Sequence, residues 1–167
     1  RSAIHRAGEW SHLYLRWRAP RFDASGRRIE PARLVRVRMN DRILHESVEL
    51  LAPSAGAPLA GEAALGPIVV EGSRAGVAIR GLRARRVLEQ EPAAETGWVR
   101  LFDGRSLDGW KISDDGTWSV EEGAIVGRGK RSHLFSPRGD YRDFELRARV
   151  KINDKGSSGM YFRVAYG

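Results

Sequence analysis

Cysteine is absent from the chain. Its absence excludes disulfides, thiolate metal sites and a cysteine nucleophile, and leaves the compartment open. No stretch approaches the roughly 18 apolar residues that a membrane helix needs, so no membrane span is expected in this segment. A convincing helical period is missing everywhere, so helices are not expected either. Lysine is scarce, 4 residues against 25 arginines. The segment has neither an initial methionine nor a leader. With Arg1 at one end and Gly167 just after a strand at the other, it reads as cut from a longer protein.

What is present suits a globular chain. At 167 residues, 41% hydrophobic and 8% aromatic, there is material for a core and for one domain or parts of two. Charge is lopsided: residues 1–88 hold 16 Arg against 8 acids, a net of +8, while residues 89–167 hold 13 basic and 13 acidic residues, a net of zero. A basic half can signal nucleic acid. Here the arginines alternate along strands, and no helix-turn-helix, zinc-finger or RNA-binding strand pattern occurs, so no nucleic-acid partner is expected.

The strongest pattern lies between Asp140 and Arg163. Phe144, Leu146, Ala148, Val150 and Ile152 alternate with Glu145, Arg147, Arg149 and Lys151, which marks a half-buried strand. After the turn residues Asn153 to Gly156 a second strand puts Met160, Phe162 and Val164 on one face and Tyr161, Arg163 and Ala165 on the other. If the apolar faces form the core, Arg147, Arg149, Tyr161 and Arg163 share the opposite surface. Earlier strands are expected at Leu13–Trp17, Leu34–Met39 and Ile43–His45, the last two joined as a hairpin by Asn40-Asp41. Residues 19–31 and 52–66 read as loops. Pro67 to Glu71 and Val77 to Val87 are further strands, and a switch of apolar parity across Arg80-Gly81 predicts a β-bulge. Residues 89–97 are acidic and without period, as in a linker. Short strands then recur at Trp98–Phe102, Trp118–Val120, Ala124–Gly127 and Ser132–Ser136. About ten short strands, with turn signals roughly every 8–12 residues and no helix, predict an antiparallel β-sandwich.

Individual motifs carry less. Gly127-Arg128-Gly129 lacks the helix and the Lys-Ser/Thr pair of a phosphate loop. His5, His12, His45 and His133 lack ligand spacing, so any metal site would require tertiary convergence. Ser157-Ser158-Gly159 is no nucleophile elbow. Asp103, Asp108, Asp114 and Asp115 sit in turns, where carboxylates brace backbone N–H groups. Trp98, Trp110 and Trp118 at strand ends read as core.

Taken in order, the motifs after the linker resemble the 3-keto-disaccharide hydrolase domain family. They are Leu101-Phe102-Asp103-Gly104, Leu107-Asp108-Gly109-Trp110, Trp118-Ser119-Val120-Glu121-Glu122-Gly123, Ile125-Val126-Gly127, Asp143-Phe144-Glu145-Leu146 and Ser158-Gly159-Met160-Tyr161-Phe162-Arg163. Residues 98–167 are similar to the N-terminal half of that domain. Residues 1–88 resemble its C-terminal half more weakly, through Gly8-Glu9-Trp10, Met39-Asn40-Asp41, Gly66-Pro67-Ile68 and Val77-Ala78-Ile79-Arg80. There the family's Gln-Asp-His-Gly is replaced by Glu71-Gly72-Ser73-Arg74, and its closing Asn by Gly81.

The resemblance implies an all-β, concanavalin A-like jelly roll. It also implies the end of one repeat (1–88), a linker (89–97) and the start of a second (98–167), docking as one permuted sandwich. The implied function is cleavage of 3-keto-glycosides in a bacterial periplasmic or extracellular setting, with a carbohydrate partner. A non-catalytic carbohydrate-binding module on the same fold is the alternative. Substrate-binding residues implied are Ser158, Tyr161, Arg163, Glu71 and Arg80. The catalytic base is unassigned, no metal ligand is named, and a divalent metal in the complete domain is left open. The segment alone is expected to show little or no activity.

Overall fold

The computed structural model describes residues 6–52, 62–72, 76–88, 96–113, 116–153 and 158–162. Arg163, Ser73, His5, Asp114, Asp115, the turn residues 154–156, Ser157 and most of the 52–66 loop and the 89–97 linker lie outside them.

Fourteen strands are formed among the described residues, and no helix. They are β1 (Ser11–Arg18), β2 (Arg21–Phe22), β3 (Arg28–Glu30), β4 (Ala32–Met39), β5 (Arg42–Leu50), β6 (Val69–Gly72) and β7 (Val77–Arg86). After the acidic stretch come β8 (Val99–Arg100), β9 (Lys111–Ser113), β10 (Thr117–Glu121), β11 (Ala124–Arg128), β12 (Ser132–Phe135), β13 (Phe144–Ile152) and β14 (Gly159–Tyr161). The larger sheet has the order β10-β11-β7-β13-β1-β4-β5, with β8 also paired to β7; the smaller is β14-β6-β12-β9. Every pairing is antiparallel. The chain is an all-β antiparallel sandwich.

Local sequence explains most of the edges. Glu122 and Gly123, both at positive φ (49° and 73°), make the two-residue β10–β11 turn, where such backbone matches strand twist. Residues 19–31, expected as loop, contain the short β2–β3 hairpin. The Asp23 carboxylate organises it by accepting from the Ser25 and Arg27 backbone N–H groups. The bulge falls where parity predicted it: Arg149 faces Arg80 and Arg147 faces Arg83, so β7 carries one extra residue, with Gly81 at φ 60°. It keeps Ile79 and Leu82 both inward and Arg80 and Arg83 both outward.

The core between the sheets holds Leu15, Trp17, Val70, Ile79, Leu82, Ile125, Leu134, Phe144 and Leu146. Phe162 packs into it against Trp17 and Phe144, with ring centroids 5.5 and 5.2 Å apart. The Gly127 motif serves this packing. A Cβ on Gly127 would stand 2.6 Å from the Trp118 ring, which lies across the bare backbone and donates from Nε1 to Ser132 Oγ at 3.0 Å. Trp110 and Trp118 pack on the core as expected. Trp98 instead lies half-buried beneath Arg147, whose guanidinium carbon is 4.3 Å from its ring centre.

Strands from before and after the acidic stretch interleave in both sheets: β13 lies between β7 and β1, and β6 between β14 and β12. One expectation is corrected here. Arg147 and Arg149 do not share a surface with Tyr161, because β13 belongs to the larger sheet and β14 to the smaller. With apolar faces turned to a common core, the polar faces of the two strands point away from each other across the sandwich.

Candidate functional site

The outer face of the smaller sheet gathers the chemistry. In β6 the inward residue is Val70, so Val69 and Glu71 face outward. The register sets Glu71 beside His133 of β12 on one side and Gly159 of β14 on the other. Tyr161, two residues along β14, is on the same face and packs against Val69 and Phe135. Sheet pairing alone therefore places a carboxylate, an imidazole and a phenol together.

Glu71 is the centre, 8% exposed. Its Oε2 accepts from the Tyr161 hydroxyl at 2.7 Å and from Arg131 Nε at 2.8 Å, and His133 Nε2 stands 3.7 Å away. Arg131 Nη2 also reaches the Tyr161 oxygen at 3.4 Å. Ser158 Oγ donates to the Glu71 main-chain oxygen at 2.6 Å, tying the start of β14 to β6. His133, 6% exposed, has its Nδ1 3.5 Å from Ser113 Oγ and its ring edge-on to Tyr161, centroids 5.8 Å apart. Arg131 covers the cluster with a side chain 52% exposed.

Electrostatics set the protonation states. Burial pushes the Glu71 carboxyl up, but the hydrogen bonds from Tyr161 and Arg131 and the neighbouring cationic charge outweigh it and hold the group below its ordinary value. Tyr161 moves the other way: burial and then its bond to Glu71 push the phenol up, against the pull of Arg131. At neutral pH the cluster is a carboxylate, a phenol that keeps its proton and a guanidinium. Such a set can hold hydroxyl or carbonyl oxygens, accept a proton at Glu71 and deliver one from Tyr161. No group of three or more His, Asp or Glu side chains able to hold a metal ion occurs among the described residues.

Of the residues singled out from sequence, the structure brings Glu71, Tyr161 and Ser158 together. Arg80 stands on the outer face of the other sheet, its guanidinium carbon 4.1 Å from the Trp10 ring centre. Arg163 lies outside the described residues. Sequence reasoning missed Arg131 and His133. Inward Leu134 makes His133 outward by parity, but nothing local in the sequence says that β12 pairs with β6. Asp103 does brace a turn, accepting from the Arg105 and Ser106 N–H groups.

Comparison with known proteins bears on this geometry. Residues 97–167 match the model of the 3-keto-alpha-glucoside-1,2-lyase-like domain. A 3-keto-disaccharide hydrolase from Bacteroides thetaiotaomicron is similar at 28% identity, over 44% of this chain and 29% of its own length. The chain thus spans under a third of that relative. No solved structure matches. Within the cluster, Arg131, His133, Ser158 and Tyr161 fall inside the family match, whereas Glu71 comes from the part before it.

Proposed function

We propose that this sandwich acts on 3-keto-glycosides and that the Glu71–Tyr161–Arg131 cluster is where the sugar reacts. The observation that carries the reading is the carboxylate kept ionised beside a phenol kept protonated, on strands that lie partly within the family match. A ketone at C3 acidifies the C2 hydrogen. Glu71 takes that proton, the C2–H electrons form the C2–C3 double bond, and charge collects on the ketone oxygen. Arg131 and Tyr161 stabilise that enolate by charge and hydrogen bonding. When the carbonyl re-forms, the electrons move to C1–C2 and the C1–oxygen bond breaks, the leaving oxygen taking the proton that Glu71 holds. Water then adds at C1 of the enone and a proton returns to C2. Ser158 positions β14 against β6 and so keeps Tyr161 on Glu71. Arg163 remains a proposed sugar contact, whereas Arg80, on the outer face of the other sheet, does not reach a sugar held at Glu71.

A second reading, a non-catalytic carbohydrate-binding module, is favoured by the tie-up of Glu71 Oε2, which serves both Tyr161 and Arg131. One experiment separates the two. Binding of a 3-keto-glucoside is measured by calorimetry and release of its leaving group by chromatography, for the full-length protein and its Glu71→Gln and Tyr161→Phe variants. The lyase-type reading expects turnover that falls at least about 100-fold in Glu71→Gln, the range of a lost general base. Binding without turnover assigns the module. Unaltered binding and turnover in Glu71→Gln would remove the cluster from either role.

The same reading extends to organisation and place. Residues 1–88 are the tail of one repeat and residues 98–167 the head of the next, docked as one permuted sandwich. The β1–β13, β7–β13, β6–β12 and β6–β14 pairings support this. Action outside the bacterial cytoplasm is part of the proposal, and cell fractionation of the whole protein tests it.

A further inference from the structure

The outer face of the larger sheet, across the sandwich from Glu71, collects arginine in rows. One row runs Arg38, Tyr14, Arg147, Arg83, Arg100 across β4, β1, β13, β7 and β8. The next runs His12, Arg149, Arg80. Neither contains a carboxylate. Neighbouring strands are about 4.8 Å apart and successive rows about 6.7 Å, so six guanidinium groups share one narrow strip. Like charges on opposed strand positions destabilise a sheet. The adjoining row shows how the fold offsets them elsewhere: Arg85 and Arg16 meet Glu145, and Arg36 meets Glu46. Among the described residues Arg38, Arg83, Arg100 and Arg149 have no ion pair.

The strip is also shaped. A cavity of about 450 Å³ opens over it, lined by His12, Tyr14, Arg38, Arg83, Arg147 and Arg149. Its floor includes Gly81, where a Cβ would meet nothing within 4 Å. We infer that this face binds an acidic polysaccharide, whose carboxylate or sulfate groups sit in the forks of Arg38, Arg83 and Arg149. Guanidinium groups pair with such oxyanions in two parallel hydrogen bonds, which rewards a chain with regularly spaced charges.

Nucleic acid suits the face less well. Single strands need open aromatic faces for stacking. Here Arg38 and Arg147 lie 5.7 and 5.9 Å from the Tyr14 ring centre, Arg147 covers Trp98, and Arg80 and Lys151 stand over Trp10.

The test is affinity electrophoresis of the chain through gels containing polygalacturonate, heparin or neutral dextran. Polygalacturonate or heparin should retard it in a salt-sensitive way, and which of them does distinguishes carboxylate from sulfate. Dextran should not. The triple variant Arg38→Gln, Arg83→Gln, Arg149→Gln should lose about tenfold or more of the affinity, since each of the three exposed charge pairs is worth roughly a two- to fivefold factor. A control triple at exposed Arg27, Arg105 and Arg142, equal in net charge, should lose little, and Glu71→Gln nothing. The inference is overturned if neither polyanion retards the chain, if both triples weaken alike, if Glu71→Gln abolishes retardation, or if an oligonucleotide binds more tightly than both polyanions at equal salt. Thermal melting confirms that each variant is folded. Failure here would leave the 3-keto-glycoside reading untouched, because that reading is decided by turnover at Glu71.

Discussion

Glu145 makes the sharpest test of how the sandwich is held together. It is 0% exposed, accepts from the Tyr14 hydroxyl and from Arg85 Nε at 3.0 Å each, and has Arg16 Nη1 at 3.7 Å. Glu145 lies after the acidic stretch and its three partners before it, so the cluster joins the two parts of the chain. Arg85 is itself 4% exposed. Withdrawing a carboxylate and a guanidinium from water costs several kcal/mol each and is offset only while they stay paired. Glu145→Gln keeps the volume and one carbonyl acceptor but removes the charge. It should cost about 3 kcal/mol, the low end of the range for breaking a buried pair. With a urea slope of about 2 kcal/mol per molar, the unfolding midpoint followed by tryptophan fluorescence should drop by about 1.5 M.

Tyr14 supplies a second readout. Burial first, then the bond and charge of Glu145, push its phenol up to about 12 from 10.0. Since the folded value is the raised one, Tyr14 contributes stability below pH 10.0 that is lost as pH rises toward about 12. In Glu145→Gln two of those causes disappear while the charges of Arg16 and Arg147 still pull down, so phenolate absorbance should show Tyr14 titrating lower. Joint replacement of Glu145 and Arg85 by leucine should be more stable than the single variant. A midpoint within about 0.3 M of native, or no recovery in the double variant, would refute the account, because ordinary surface changes stay within about 0.5 kcal/mol.

Two more expectations follow from packing and charge. Gly127→Ala sets a Cβ 2.6 Å from the Trp118 ring and should cost about 1–3 kcal/mol of overpacking. Thermal melting should show that loss and its recovery when Trp118 is also cut to leucine; an unshifted midpoint would disprove the contact. The lowered Glu71 carboxyl contributes stability above its ordinary value of 4.5, and this is lost as pH falls from there through the lower folded value. Acid unfolding of Glu71→Gln should lack that part of the pH dependence, and superposable curves would contradict the assigned shift.

Much of the architecture was legible along the chain because a strand advertises its faces with a period of two. Phe144, Leu146 and Ala148 declare one side of β13, and the parity change at Arg80-Gly81 declares the bulge. The β2–β3 hairpin was not legible: its strands are short and its turn depends on side-chain bonds from Asp23, which leave no periodic trace. The site was half legible. Glu71 and Tyr161 stood out through motif position, whereas Arg131 and His133 had no local mark.

Sequence alone thus determined that this protein is built of strands, which side chains each strand turns inward, and that its second part resembles the 3-keto-disaccharide hydrolase domain family. Tertiary structure decided which sheet each strand joined. Alternation specifies a parity but not a partner, and partners here are remote in sequence: Glu71 meets His133 and Gly159, while Arg147 meets Tyr14 and Arg83. That choice sent the polar faces of β13 and β14 to opposite sides of one core. It separated the arginine strip from the carboxylate cluster, two surfaces that the linear pattern had merged into one.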